Sequence, residues 1–157
     1  RMRNGEVPSS PKPIIWWVLI GTNDFGVSQC SENMVLQGIV KVVEELKRQR
    51  PHDKIVLNSL LPRSTNKTGS LEPPRGSLSQ PFYWKHIRQV NKQRHQYCEK
   101  NSSLFFFNAT DIFVSKQNHE LSIPLKLMPD RLHPSSVGYK KWGAEIGNFL
   151  ENDLNYP

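Results

Sequence analysis

The stretch "IIWWVLIGTNDFG", residues 14–26, joins an unbroken apolar run to a turn of small and polar residues. The apolar part, residues 14–21, lacks the alternation of a half-exposed strand and is typical of a strand that is covered on both faces in a parallel sheet. Gly21 permits a tight exit from such a strand. The stretch therefore predicts a parallel α/β sheet with polar side chains at the carboxyl end of this strand, where sheets of this class bind ligands.

The rest of the chain repeats the same alternation. Apolar residues at helical spacing occupy residues 32–50, and Pro51 stops this helix. Two further strands are predicted at residues 54–62 and 103–110, and two further helices at residues 82–100 and 135–152. This order is that of an open α/β sheet with right-handed crossovers. The predicted fold class is a three-layer α/β/α domain with a flavodoxin-like parallel sheet.

Composition excludes two broad classes of protein. With 36% hydrophobic and 22% charged residues in 157, and no apolar run of the roughly 18 residues that span a bilayer, the chain is expected to be neither a membrane protein nor disordered. The net charge of +7 is spread over helix-like segments. It predicts either a solvated basic surface or attraction to acidic substrates or phospholipid head groups. Nucleic-acid binding is not expected, because no recognition motif accompanies the charge.

The sequence leaves localisation open. Cys30 and Cys98 form no CxxC pair and are expected to be structural or incidental thiols. Sequons at Asn66, Asn101 and Asn108 would be used if the chain entered the secretory pathway, and otherwise a soluble cytoplasmic protein is expected. Because the chain begins at Arg1 without a signal or transit peptide, we expect it to be the later part of a longer protein.

The segment of residues 63–81 is rich in Pro, Gly, Ser and Thr and is long for a link between a strand and a helix. It begins with Arg63 at the carboxyl end of the second predicted strand. Two interpretations stay open, a disordered surface insertion and a loop that borders the substrate. Under the second, Arg63 borders the bound substrate.

Asn23 is a candidate for stabilising negative charge. In "GTND", residues 21–24, its side-chain amide can project into the crevice above the sheet, with Gly21 and Asp24 as the supporting turn. A neutral NH₂ group directed at an oxyanion stabilises the charge without attracting a proton. Taken alone, however, such a sequence is more often only a turn, because Asn and Asp suit turn geometry.

Asp130 and His133 form the second candidate pair, in "PDRLHPSSVGY", residues 129–139. A carboxylate that accepts a hydrogen bond from Nδ1–H of His133 would select the tautomer and leave Nε2 as a base. Ser135 or Ser136, acting as the N-cap of the last helix, is a structural explanation for part of the same stretch. The pair alone is therefore weak evidence for catalysis.

Together and in this order, the motifs resemble the SGNH hydrolases, also called the GDSL esterase/lipase family. Within that family the resemblance is to members like the catalytic subunits of platelet-activating-factor acetylhydrolase type Ib. It covers nearly the whole chain and is carried by these motifs: "RNGE" (3–6), "GTND" (21–24), "LLPR" (60–63), "RQVNKQ" (88–93), "DRLH" (130–133) and "HPSSVGY" (133–139).

The resemblance implies a serine ester hydrolase, with Asn23 in the oxyanion hole and Asp130 and His133 as two members of the catalytic triad. It implies that no metal or cofactor is needed. It also implies that the substrate is a small ester such as an acetylated carbohydrate or a short acyl lipid. The family's Gly-Asp-Ser block, which carries the nucleophile, does not occur in the sequence. Ser28 and Ser31 do not have the strand-to-helix setting of a nucleophile, and Ser59 lies within a predicted strand. Cys30 is the only other candidate.

Residues 1–157 are thus expected to be the C-terminal part of a single hydrolase domain whose first strands, and whose nucleophile, lie upstream. This missing segment would be needed to complete the fold, and the isolated chain is expected to be inactive. Two other functions stay open. A non-catalytic SGNH-like interaction module would lack the upstream serine. A flavodoxin-like binder of phosphate or a nucleotide would need a phosphate loop after a strand, and no predicted strand end here supplies one.

Overall fold

A computed structural model describes residues 7–8, 11–26, 28, 30–72, 83–117 and 120–155. Predictions that fall on residues 1–6 or 73–82, including the "RNGE" motif, lie outside the described residues. The elements follow one another as β1 (Ile15–Val18), α1 (Thr22–Gly26), α2 (Glu32–Gln49), β2 (Lys54–Asn58), α3 (Tyr83–Glu99), β3 (Leu104–Phe107), α4 (Thr110–Phe113), β4 (Ser115–Gln117), β5 (Glu120–Ser122) and α5 (Ser136–Asn152).

The main sheet has three parallel strands in the order β1-β2-β3, which confirms the predicted α/β class. Trp16 is paired with Ile55, and Ile55 in turn with Leu104. β2 is the middle strand, and its residues from Ile55 to Asn58 are buried on both faces. β1 is half-buried except at Val18, and among the described residues it pairs with β2 alone. β1 is therefore shorter than the predicted strand of residues 14–21, and it is half-buried rather than covered on both faces because it lies at the edge of the described sheet.

The chain divides into two compact units, each with its own contacts. The first comprises Arg1–Leu60 and Arg88–Phe107, and the second comprises Leu61–Ile87 and Asn108–Pro157. The first unit contains the parallel sheet with α1, α2 and most of α3, whereas the second contains α4, the β4-β5 hairpin and α5.

α2 forms where the sequence predicts it. Ser31 is its N-cap, with the side-chain oxygen accepting a hydrogen bond from the Met34 N–H. Its buried residues recur at helical spacing and belong to the predicted apolar set: Val35, Ile39, Val43 and Leu46. The helix therefore turns one apolar face toward the core of the first unit.

The predicted second strand is longer than β2, and Asn91 explains where β2 ends. The predicted strand reaches residue 62, but β2 ends at Asn58. At Leu60 the backbone N–H donates to Asn91 Oδ1 at 2.7 Å, and the backbone carbonyl accepts from Asn91 Nδ2 at 3.0 Å. A side chain of α3 thus satisfies the backbone groups that a continuing strand would have paired with its neighbour.

Asp53 joins the beginnings of β1 and β2. Its buried carboxylate accepts hydrogen bonds from Arg50 Nε at 2.7 Å, Trp16 Nε1 at 2.7 Å and the Ile14 N–H at 3.1 Å. Burial opposes ionisation, but the hydrogen bonds from Arg50, Trp16 and Ile14 outweigh it and lower the pKa of Asp53. The hydrogen bonds from Ile14 and Trp16 therefore tie the start of β1 to Asp53, directly before β2.

Arg94 departs from the predicted solvated basic surface. Its side chain is fully buried, and Nη2 donates to the Val18 carbonyl at 3.3 Å. Within the described ranges, Nε and Nη1 have no hydrogen-bond partner. Burial lowers the pKa of Arg94 to about 10. The expectation of a solvated surface is wrong for this residue, because α3 turns it toward the sheet.

The link between β3 and α5 holds structure that periodicity did not predict. It contains the short helix α4 and an antiparallel hairpin in which Lys116 of β4 pairs with Leu121 of β5. Strands of three residues are too short to show an alternating pattern. Separately, none of the helices in the described ranges has the length and apolar character needed to cross a membrane.

Candidate active site

The turn after β1 requires glycine. Gly21 has φ 115°, which L side chains rarely adopt, and a Cβ built there would lie 2.9 Å from Val35 Cγ1. The predicted tight exit is therefore present, and α2 packs directly against it. The chain then enters α1, so "GTND" begins a short helix rather than a simple turn.

Asn23 lies in α1 with its side chain exposed. Its amide makes no hydrogen bond in the part of the chain that the structure describes, and so remains available to a ligand. The carbonyl of the next residue, Asp24, accepts the Cys30 N–H at 2.9 Å, which ties the end of α1 back to the approach to α2. Assignment of Asn23 to an oxyanion hole stays a prediction.

A pocket of about 260 Å³ opens beside α1 in the first unit. Its lining is mainly apolar, includes Ile20 and Met34, and carries one carboxylate, that of Asp24. Among the described residues, no Lys or Arg contributes to it. An anionic phosphate would meet a carboxylate here and no cation, so this pocket does not favour the alternative of a phosphate or nucleotide binder.

Asp130 is held as an anion by three hydrogen bonds. Oδ1 accepts the backbone N–H of His133 at 2.7 Å and that of Leu132 at 3.0 Å, and Oδ2 lies 2.6 Å from His133 Nδ1. The backbone N–H of His133, followed by its ring, lowers the pKa of Asp130 to about 2. The carboxylate is therefore ionised at neutral pH, and 54% of its side chain is exposed to water.

The ionised carboxylate determines the tautomer of His133. A carboxylate only accepts hydrogen bonds, so Nδ1 must carry the proton and Nδ1–H donates a hydrogen bond to Oδ2. The lone pair of the neutral ring is then on Nε2. The His133 side chain is 72% exposed, and within the described ranges Nε2 has no hydrogen-bond partner. The pair can thus act as an oriented base that is open to a reacting group.

The start of α5 supports the pair. Of the two serines considered as the N-cap, Ser135 and Ser136, Ser135 has this role: its Oγ accepts the Gly138 N–H at 3.0 Å and donates to the Lys126 carbonyl at 2.6 Å. Its backbone N–H donates to the Leu127 carbonyl at 2.8 Å. Gly138 packs so closely on Leu127 that a Cβ would overlap the Leu127 carbonyl oxygen. His133 therefore stands two residues before a firmly anchored helix terminus.

Arg131 lies between the two members of the pair, and its contacts were not predicted from the sequence. Its guanidinium donates from Nη1 to the Ile123 carbonyl at 3.0 Å and from Nη2 to the Lys67 carbonyl at 2.8 Å. Arg131 has φ 63°, so its backbone is in the left-handed region. In the sequence, only its position between Asp130 and His133 indicated a role for Arg131. The partners could not be predicted, because one of them is 64 residues away.

The described part of the 63–81 segment, residues 63–72, is held within the second unit by backbone hydrogen bonds to other segments of that unit. Leu71 is buried, and its N–H donates to the Leu121 carbonyl at 2.9 Å. The Ser64 N–H donates to the Arg131 carbonyl at 3.2 Å. The interpretation of a disordered insertion is therefore wrong for these residues.

Arg63 is the first residue of this segment. Its guanidinium carbon lies 4.8 Å from the centroid of the Tyr83 ring, a cation–π contact. Whether Arg63 borders a substrate stays a prediction.

The thiols and hydroxyls weighed as nucleophiles have other settings. Ser31 caps α2, and Ser59 is fully buried. Ser28 is exposed, and Cys30 contributes to the lining of the pocket beside α1. Cys98, which was not among the candidate nucleophiles, is buried, and burial raises the pKa of its thiol to about 11, which makes the nucleophilic thiolate scarce. Both cysteines are free thiols. The structure thus brings Asp130 and His133 together in the second unit, and it places Asn23 in the first.

No protein-family model and no curated protein matches the sequence. Solved structures do match. A GDSL-like lipase from Bacteroides thetaiotaomicron has a TM-score of 0.71 at 22% identity, over 98% of this chain and 68% of its own. A carbohydrate esterase family 3 protein from Talaromyces cellulolyticus has a TM-score of 0.64 at 16% identity, over 92% and 60%. A Streptococcus pneumoniae structure described provisionally as a platelet activating factor has a TM-score of 0.69 at 21% identity, over 87% and 59%.

This chain therefore spans about 60% of the length of several of the structures that it matches. What it shares with them is the parallel sheet with its flanking helices. Over that part of their length, the chain has the fold of the SGNH, or GDSL, hydrolases.

Proposed function

We propose that this chain is the C-terminal part of an SGNH-type carboxylic ester hydrolase and supplies its base, the carboxylate that orients the base, and one oxyanion donor. The observation that carries the proposal is the 2.6 Å contact between Asp130 Oδ2 and His133 Nδ1, which leaves Nε2 as the basic atom. The fold shared with a lipase and a carbohydrate esterase supports the same reaction class.

In the proposed reaction, Nε2 of His133 removes the proton from a serine hydroxyl, and the alkoxide attacks the ester carbonyl. The charge that develops on His133 is stabilised by the Asp130 carboxylate. The Asn23 amide donates to the oxyanion of the tetrahedral intermediate. His133 then protonates the leaving alcohol. In the second half of the reaction His133 removes a proton from water, the water oxygen attacks the acyl carbonyl, and His133 returns the proton to the serine oxygen as the acid is released.

The nucleophilic serine is assigned to a segment outside residues 1–157, because the sequence contains no Gly-Asp-Ser. The substrate class is a small carboxylic ester, either an acetyl ester of a carbohydrate or a short acyl lipid. This range corresponds to the carbohydrate esterase and the lipase among the matching structures. The second candidate function, a non-catalytic module of the same fold, differs by the absence of that serine.

The decisive experiment labels the full-length protein with a fluorophosphonate, which reacts covalently with an activated serine, and maps the modified peptide by mass spectrometry. We expect modification outside residues 1–157, together with hydrolysis of p-nitrophenyl acetate. His133→Ala should abolish both. The matched control is His52→Ala, in the exposed turn after α2, which should change neither.

Absence of labelling and of hydrolysis in the full-length protein would favour the non-catalytic module. Labelling at a serine or cysteine within residues 1–157 would overturn the assignment of the nucleophile.

A further inference from the structure

Arg131 occupies a backbone conformation that normally favours glycine. Its φ of 63° is in the left-handed region, which is unfavourable for a residue with a side chain. The residue stands directly between the two members of the candidate pair, Asp130 and His133. A strained residue at this position needs a compensating interaction elsewhere.

The guanidinium supplies that interaction. It donates to the carbonyls of Ile123 and Lys67 at 3.0 and 2.8 Å, and these carbonyls belong to two separate segments of the second unit. Hydrogen bonds from a charged donor are roughly twice as strong as those between neutral groups. The backbone of Arg131 adds two more contacts, since its N–H donates to the Met128 carbonyl at 3.1 Å and its carbonyl accepts the Ser64 N–H at 3.2 Å.

Gly69 brings these segments close enough to meet. It has φ 81°, and a Cβ there would lie 2.6 Å from the Ile123 carbonyl oxygen and 3.0 Å from Arg131 Nε. Its carbonyl accepts the Ile123 N–H at 2.9 Å. The segment of residues 64–71 thus passes directly under the guanidinium, and only a residue without a side chain fits at position 69.

We propose that Arg131 is a positioning residue: by tying the Asp130–His133 turn to the carbonyls of Lys67 and Ile123, it holds the carboxylate and the imidazole in their hydrogen-bonded geometry. This inference rests on the proposed function for its catalytic consequence. Its structural part, the orientation of the pair, is independent of that function. It also gives the 63–72 segment a role, which is to support the base.

Two substitutions in the full-length protein separate the backbone from the guanidinium. Arg131→Gly adopts φ 63° without strain but has no guanidinium, whereas Arg131→Gln keeps a side chain without the paired charged donors. In both variants we expect kcat for p-nitrophenyl acetate to fall by about 10- to 100-fold with KM changed less than about twofold, because a misplaced base slows chemistry more than binding. Arg48→Gln, an exposed residue paired with Glu45, is the matched control and should leave both constants unchanged.

The second readout does not depend on activity. In the wild type, the Asp130 carboxyl carbon should titrate by NMR with a pKa of about 2, and in both Arg131 variants this pKa should rise toward 3.8 as the hydrogen bonds loosen. Gly69→Ala should move both readouts the same way. Its control, Gly143→Ala on α5, places its Cβ in open space and should move neither.

Wild-type kcat and an unchanged Asp130 titration in Arg131→Gly would overturn the proposal, since the left-handed backbone alone would then hold the pair. If His133→Ala keeps full activity, the proposed function fails, but the Asp130 titration in the Arg131 variants still decides whether Arg131 orients the pair. A rise in that pKa supports the inference in either case.

Discussion

Oδ2 of Asp130 lies 2.6 Å from Nδ1 of His133, while Oδ1 of the same carboxylate accepts the backbone N–H of His133 at 2.7 Å. One carboxylate therefore binds both the ring and the main chain of the residue that it orients. Rotation of the ring away from the carboxylate would break one hydrogen bond and leave the other in place. The exposed imidazole thus has a defined orientation without being buried.

The first prediction concerns this carboxylate. Asp130→Asn in the full-length protein should lower kcat by on the order of 10²–10⁴, because the amide can donate to Nδ1 and favour the tautomer that carries the proton on Nε2. Nitrogen-15 NMR of the ring reports the tautomer, and steady-state kinetics report kcat. Asp153→Asn, at the exposed C-terminal end of α5, is the control. Normal kcat in the Asp130 variant would remove the aspartate from the reaction.

A second prediction concerns Asn23. Asn23→Ala should lower kcat by on the order of 10²–10³ with little change in Tm, because the exposed amide makes no hydrogen bond in the described part of the fold but would stabilise a developing oxyanion. Ester hydrolysis and thermal unfolding are measured on the same preparation. Asn33→Ala, on the exposed face of α2, is the matched control. If both variants turn over at the wild-type rate, Asn23 is not an oxyanion donor.

The third prediction is a pH dependence. The hydrogen bonds of Asp130 depress its pKa from 3.8 to about 2 in the folded state, so its stabilising contribution is complete above pH 3.8 and is lost as the pH falls through about 2. Because the group is more than half exposed, we expect a local opening of the turn and little change in global stability.

NMR titration of the Asp130 carboxyl carbon tests this directly. In His133→Ala the midpoint should rise but stay below 3.8, since the backbone N–H donors of residues 132 and 133 remain. A wild-type midpoint near 3.8 would contradict the observed hydrogen bonds.

The fourth prediction concerns the turn before Asn23. Gly21→Ala should destabilise the protein by about 1–3 kcal/mol, because φ 115° is strained for alanine and its Cβ would press on Val35 at 2.9 Å. Gly38→Ala on α2 meets no atom within 4 Å and should be neutral or stabilising by up to about 1 kcal/mol. Urea unfolding of both variants gives the comparison. Equal stabilities would show that the turn adapts to a side chain.

The features that were predicted correctly from the sequence depend on residues that lie close together along the chain. The spacing of Val35, Ile39, Val43 and Leu46 predicted the buried face of α2, because helical geometry alone places these residues together. The apolar run at residues 14–21 predicted a parallel strand and the glycine exit. Asp130 and His133 are three residues apart, so a single turn can bring them into contact.

Tertiary structure decided the contacts between residues that are distant in the sequence. Asn91 ends β2 by binding both backbone groups of Leu60, and Arg94 is buried although its segment is rich in charge. Arg131 reaches Lys67 across 64 residues and so makes a low-complexity segment part of the support for His133. The residue type specifies which hydrogen bonds a side chain can donate or accept. Only the folded chain determines which carbonyl lies within about 3 Å of it.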